Sequence, residues 1–187
     1  MDVWKGLEMA KTSLDVKIRN LERARDGIKF EGTKAINLAN MYTYFADVLS
    51  AIREAIECLS AAKETSAIRT GKGIATVANS KWSIETLDDK VILKRINPSL
   101  IITISPEEVK ISTRGKDEKE IVNYAVFRNN SFEVARNKYK LSMNYNEYEG
   151  ILENSYYIRY ALKPVAREVI KKCPALVQHL KNMNVIC

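Results

Sequence analysis

Leu7, Leu14, Leu21 and Ile28 recur at every seventh position, and the spacing returns as Leu38, Phe45, Ile52 and Leu59 after a break bounded by glycines. Apolar residues three and four apart share one side of an α-helix. The first stripe, completed by Val3, Ala10 and Ala24 with Ile18 beside it, predicts a helix over residues 2–28. Asp2 is its expected N-cap, and a positive φ at Gly27 its expected end. At ~1.5 Å per residue this rod is about 40 Å long. The second helix is predicted from a Thr33 cap to about Ala67. Its band is wider, taking in Met41, Tyr42, Val48, Leu49 and Ile56, and so calls for more than one neighbour. A short link between two long helices favours an antiparallel hairpin.

Residues 68–80 read as a small-residue connection, after which the period changes to two. Trp82, Ile84 and Thr86 alternate, Val91 to Ile96 form a second strand, and Leu100 to Ile104 a third, covered on both faces. Val109, Ile111 and Thr113 alternate in a fourth. Turns are expected at Asp88-Asp89, Asn97-Pro98 and Pro106-Glu107. Gly115 to Glu120 reads as a solvated hinge. Helices are expected to resume near Glu120 and again after Ser131, with Asn144 and Glu147 forming an N-terminal capping pair. Ile151, Ser155, Ile158, Leu162, Val165 and Val169 make a last stripe, continued by Leu176, Leu180 and Met183. Pro164 and Pro174 interrupt it, either as kinks or as first residues of new helices. The expected fold is therefore α+β: a long antiparallel helical hairpin, an inserted four-stranded antiparallel β-meander and a C-terminal helical region. Its segments are 1–80, hairpin and linker; 81–116, meander; and 117–187, helices packing on the hairpin.

An apolar fraction of 46% over 187 residues suits one globular body and argues against disorder. The longest apolar runs are too short to cross a bilayer, so no membrane is expected. The start, Met1 to Lys5, lacks the basic and apolar segments of a secretion signal, which predicts a cytoplasmic protein. Cys58, Cys173 and Cys187 are odd in number and far apart, which predicts buried free thiols. Gln and His occur once each while Ile, Lys and Glu abound, a bias common in thermophile proteins, although the many Asn residues run against it.

Thirty Lys and Arg against 23 Asp and Glu leave a formal charge of +7, which favours an anionic partner. Two basic sets stand out. In the meander, Lys94 shares a strand face with Ile92 and Ile96 while Arg95 points the other way. Lys110, Ser112 and Arg114 alternate outward as a positive sheet face. Such a face can hold phosphates, although sheets also use lysine simply to prevent aggregation. The second set, Arg136, Lys138 and Lys140, opens a segment holding six of the nine tyrosines: Tyr139, Tyr145, Tyr148, Tyr156, Tyr157 and Tyr160. On a helix Tyr145, Tyr148, Tyr156 and Tyr160 would share a face with Leu152. Tyrosines so placed make helix or subunit contacts, or stack on bases beside cations.

Catalytic chemistry finds no motif. Gly71-Lys72-Gly73 lacks the glycine spacing and the following Ser or Thr of a phosphate loop. His179 stands alone in an apolar segment, and metal-ligand spacings are absent. Asp88-Asp89 and Glu107-Glu108 sit at turns as solvated carboxylates. No catalytic residue, metal or cofactor is therefore expected. The leading expectation is a non-enzymatic nucleic-acid-associated subunit of a nucleoprotein assembly. It would contact DNA or RNA through Lys94, Arg95, Lys110, Arg114, Arg136, Lys138 and Lys140 on phosphates, with Tyr139 and Tyr145 as stacking rings. The alternative is a scaffold that assembles with a protein partner, or with copies of itself, through its helical stripes and binds no nucleic acid.

Overall fold

The computed structural model describes residues 1–29, 31–64, 66–96, 99–114 and 121–185. The first two stripes become helices α1 (Val3–Asp26) and α2 (Thr33–Ala61), and a third helix, α3 (Tyr148–Asn182), follows the strands. Three polar contacts show α1 and α2 to be antiparallel. Lys11 pairs with Glu57 at 3.9 Å, Asp15 with Arg53 at 2.5 Å, and Arg25 with Thr43 at 3.4 Å, so position falls along one helix as it rises along the other. Asp2 accepts the Trp4 N–H and caps α1 as expected. Gly27 stays in the right-handed region at φ −79°, and the positive φ falls on Gly32 at +99°. Gly32, not Thr33, is the N-cap of α2. That helix stops at Ala61 and tightens into a 3₁₀ turn, Ala62–Glu64, short of Ala67.

The described residues contain nine strands rather than four. They are β1 (Ile68–Gly71), β2 (Ile74–Val77), β3 (Trp82–Thr86), β4 (Val91–Arg95), β5 (Leu100–Ile104), β6 (Glu108–Arg114), β7 (Ile121–Arg128), β8 (Ser131–Arg136) and β9 (Tyr139–Asn144). Each pairs antiparallel with the next, in chain order across one sheet. The connection read over 68–80 is a hairpin: Lys72 and Gly73 both take positive φ, +41° and +76°, between the paired Gly71 and Ile74, as a two-residue type I′ turn requires. The helices expected near Glu120 and after Ser131 are β7, β8 and β9. Asn123, Ala125 and Phe127 alternate with Tyr124, Val126 and Arg128, a period of two that pairs with β6. Asn137, at φ +52°, supplies the turn into β9. The turn expected at Asn97-Pro98 and the hinge at 115–120 lie outside the described residues.

Every strand turns one face toward the helices. The register aligns Trp82, Ile84 and Thr86 with Val91, Leu93 and Arg95, and then with Leu100, Ile102 and Ile104. Val109 and Ile111, Ala125 and Phe127, and Phe132 and Val134 continue that face. The third expected strand, β5, buries only this face, and Ile101 and Thr103 on the other are half-exposed. Leu7, Leu14, Leu21, Leu38, Phe45, Ile52 and Leu59 are fully or almost fully buried in the same cluster as these strand residues. The heptad stripes are therefore consumed within one chain, and the segments 1–80, 81–116 and 117–187 contribute to a common core. Phe45 on α2 meets Phe127 at 5.5 Å and Phe132 at 5.3 Å, with Tyr42 and Tyr145 completing the aromatic centre.

Two polar contacts anchor α1 to the turn between β5 and β6. Ser13 Oγ donates to the Ser105 carbonyl and Lys17 Nζ to the Pro106 carbonyl, both at 2.5 Å. Lys17 is fully buried; burial lowers its pKa, while the nearby Glu107 and Glu108 oppose that shift. Closer to its start α1 lies directly on β3 and β4, where a β-carbon on Gly6 would sit 2.5 Å from Thr86 Cγ2. Gly6→Leu is expected to cost ~1–3 kcal/mol in urea unfolding by overpacking. The exposed neighbour substitution Lys5→Leu should stay within about 0.5 kcal/mol. Equal costs for the two would mean that α1 does not touch the sheet there.

Cys58, expected as a free thiol, is disulfide-bonded. Cys173 is free and buried, and burial pushes its thiol up to about 12. Cys187 lies outside the described residues. None of the helices is long and apolar enough, over the described residues, to cross a membrane.

Candidate nucleic-acid interface

The sheet separates the residues that sequence reasoning grouped. Lys94, Lys110 and Lys140 project from the face away from the helices, whereas Arg95, Arg136 and Tyr139 belong to the helix side by register. Arg114 follows a register shift at the end of β6 and lines a cavity of about 220 Å³ with Pro164, Arg167 and Glu168. Lys138 sits in the β8–β9 turn, its ammonium 5.8 Å from the Tyr139 ring centroid.

The outer sheet face, expected to be positive, sets carboxylates against some of its cations. Glu108 pairs with Arg128 at 3.2 Å, and Glu133 with Lys140 at 3.3 Å. Glu133 also accepts the Tyr124 hydroxyl at 2.6 Å. Burial disfavours the charge on Glu133, but the hydrogen bonds from Tyr124 and Lys140 outweigh it and hold the carboxyl below its usual range. Burial first, and then the same bond, push Tyr124 up to about 12. Lys110 lies over the Tyr124 ring at 5.1 Å, and Ser112 is buried. Strand pairing sets Glu133 of β8 beside Tyr124 of β7 and Lys140 of β9, an arrangement that no single strand shows when read alone.

Tyr145 is withheld by burial from the stacking on bases expected of it. It is 4% exposed, stacks on Phe132 at 6.0 Å, and donates its hydroxyl to the Arg128 carbonyl. Tyr42 in turn donates to the Tyr145 carbonyl, and burial raises both phenols. These bonds close the helix-to-sheet junction ahead of α3. Glu147 accepts the Asn144 N–H, but the expected capping pair does not cap the helix: Asn144 ends β9, and Glu147 is itself the N-cap of α3, with no side-chain cap bond.

Four of the five remaining tyrosines of this segment meet at the surface; Tyr148 instead packs against the core and donates its hydroxyl to the Ala24 carbonyl. Tyr139, Tyr156, Tyr157 and Tyr160 are 53%, 72%, 53% and 45% exposed. Tyr139 stacks with Tyr157 at 6.1 Å, Tyr157 meets Tyr156 edge-on at 5.8 Å, and Tyr156 stacks with Tyr160 at 6.3 Å. The Arg136 guanidinium lies 3.6 Å from the Tyr160 ring centroid. Its Nη1 donates to the Tyr160 carbonyl at 3.2 Å. Pro164 explains why that carbonyl is open: it lies four residues on, inside the unbroken helix, and has no N–H to give. Pro164 is thus neither a helix start nor a break. It supplies the acceptor that ties β8 to α3.

Below these rings α3 carries Arg159, Lys163, Arg167 and Lys171, all exposed. Steps of four advance ~40° around a helix, so the ladder winds ~120° across the solvent face over ~18 Å. From Ser155 to Val185 the sequence has one carboxylate, Glu168, and it pairs with Lys172. Like charges four apart cost a helix ~0.2–0.5 kcal/mol each. Three such pairs in succession make a surface that an anionic partner would relieve. Lys163, Arg167 and Lys171 were not singled out in the sequence, although their i, i+4 spacing beside so few acids was the available signal. Two cavities flank the rings: one of about 320 Å³ against α2, with Met41, Tyr44, Arg159 and Lys163, and one of about 260 Å³ against β9, with Leu141, Tyr139 and Tyr157. Among the described residues no cluster of His, Cys, Asp and Glu is arranged to hold a metal.

In comparisons with known proteins, no family model, no curated protein and no solved structure matches this chain.

Proposed function

We propose that this protein is a non-enzymatic subunit of a nucleoprotein assembly that holds single-stranded nucleic acid along the exposed side of α3. The carrying observation is the exposed tyrosine quartet, with Arg136 stacked on Tyr160 and a ladder of four cations directly below. Exposed rings stack on unpaired bases of any sequence, while Lys and Arg track the phosphates. Base pairs in a duplex keep their faces hidden, so the rings favour a single strand. The sheet cations Lys94, Lys110 and Lys140 play a lesser part in this reading, since Glu133 and the Tyr124 ring already engage two of them. The cytoplasmic setting belongs to the same proposal. The bonded Cys58 is compatible with it if the source is a hyperthermophile, whose intracellular proteins carry disulfides.

The scaffold reading narrows to the same surface, because the heptad stripes are already buried within the chain. Fluorescence anisotropy with a labelled oligonucleotide separates the two. Six cations, Arg136, Lys138 and the ladder, predict a log–log salt slope of about −4 for a single strand. Tighter binding of a single strand than of a duplex, with that slope, is the expected result. No binding at ~50 mM salt, where counterion release is strongest, would overturn the proposal. Self-association through the tyrosines in light scattering would then support the scaffold.

A further inference from the structure

At the far end of α3 lies a further concavity whose chemistry is separate from the tyrosine surface. It occupies about 240 Å³ between the β2–β3 turn, the end of β4 and the last turns of α3; Lys81, Arg95 and Lys172 give it a cationic lining, with His179 beside them. No carboxylate is among the described residues that line it. Glu168, one turn earlier on α3, offsets one of these charges by pairing with Lys172.

Arg95 is the telling residue. Its Nη1 is buried and has no hydrogen-bond acceptor among the described residues. A guanidinium cannot shed its proton, so burial leaves a charged donor unsatisfied. Lys172 is only 6% exposed, and burial together with the adjacent Arg95 lowers its ammonium to about 8. His179 directs Nε2 at the Ala78 carbonyl at 2.7 Å, which fixes its ring against the pocket wall. Trp82, 6% exposed, forms an apolar side. Two cations pressed together in a concavity, one with an unused buried donor, are the arrangement that planar and point-charge recognition of an oxyanion uses.

We propose that this pocket binds a phosphate group, with Arg95 and Lys172 as its principal donors and Lys81 at its mouth. The phosphate belongs either to a small phosphorylated molecule or to the end of a nucleic-acid strand. The pocket does not depend on the tyrosine surface for its argument.

The probe is inorganic phosphate, followed by thermal unfolding and Trp fluorescence at constant ionic strength, with chloride as the reference. Phosphate is expected to raise the unfolding midpoint beyond chloride. Arg95→Gln is expected to weaken phosphate at least tenfold, and Arg95→Lys to restore part of that loss. Should Arg95→Gln fail to fold, ³¹P line broadening with the unaltered protein and with Lys172→Met gives the same comparison. Phosphate acting no differently from chloride, or an unchanged response in a folded Arg95 or Lys172 variant, would overturn the proposal. A triple substitution of Arg159, Lys163 and Arg167 should leave the phosphate response intact, which separates this pocket from the ladder. A 5′-phosphorylated trinucleotide binding tighter than its 5′-hydroxyl form would identify a strand end as the source. Equal binding of the two trinucleotides, with phosphate itself still bound, would point to a small phosphorylated molecule.

Discussion

Replacing Arg159, Lys163 and Arg167 together by Gln is expected to weaken single-strand binding ~10²-fold at low salt and to flatten the salt slope by about two. The reason is counterion release: each phosphate neutralised by a cation frees ions whose entropy drives association. Gln retains a polar, helix-compatible side chain, so the change tests charge alone. All three like-charge pairs along α3 disappear at once, each worth ~0.2–0.5 kcal/mol of repulsion, so the variant should unfold no earlier than the original protein. Tyr156→Ala with Tyr160→Ala provides the complementary test. Those rings should cost ~1–3 kcal/mol per stacked base while leaving the salt slope unchanged. Anisotropy over a range of salt reads both quantities. A slope unmoved by the triple substitution would show that the ladder does not touch phosphate.

Phe45→Ala is expected to remove ~3–5 kcal/mol of stability. Phe45 is fully buried and joins α2 to β7 and β8 through its edge-on contact with Phe127 and its tilted contact with Phe132. Truncation leaves a cavity that the surrounding rings, already fixed by the Tyr42 and Tyr145 hydroxyl bonds, cannot close. Against a typical total of ~5–15 kcal/mol that loss brings the fold near its limit. Urea unfolding should show a lower midpoint with the slope retained. A loss below ~1 kcal/mol would mean that α2 is not seated on the second half of the sheet.

The helices were legible because heptad spacing is a local property. Leu7, Leu14 and Leu21, and Leu38, Phe45 and Ile52, are buried where the pattern placed them. The strands from Trp82 to Arg114 were legible too, β3 and β6 by their period of two and β5 as a continuous apolar run. β7 was not. Asn123 faces the helices while Val126 is buried on the opposite face, so apolarity does not follow one side. β1 and β2 are only four residues each, too short for a period to register, and their Lys72-Gly73 turn identifies itself only through backbone angles.

For the candidate site, the gathering of Tyr139, Tyr156, Tyr157 and Tyr160 with Arg136 and Lys138 could be suspected from composition alone. Which of the rings would be exposed could not. Tyr145 lies three residues before the start of α3 and is buried, because the chain crosses the helix–sheet junction there.

By itself the sequence determined that helices would occupy the two ends of the chain, that one face of each helix must be covered, and that cations outnumber acids on the last helix. Those are matters of spacing and count along one dimension. Only the tertiary structure decided that a nine-stranded sheet would do the covering, that Glu133 would answer Lys140, and that Pro164 would open a carbonyl to Arg136. Each of these joins residues brought together by strand pairing or by packing of α3 on the sheet, and neighbours made in that way leave no trace in local periodicity.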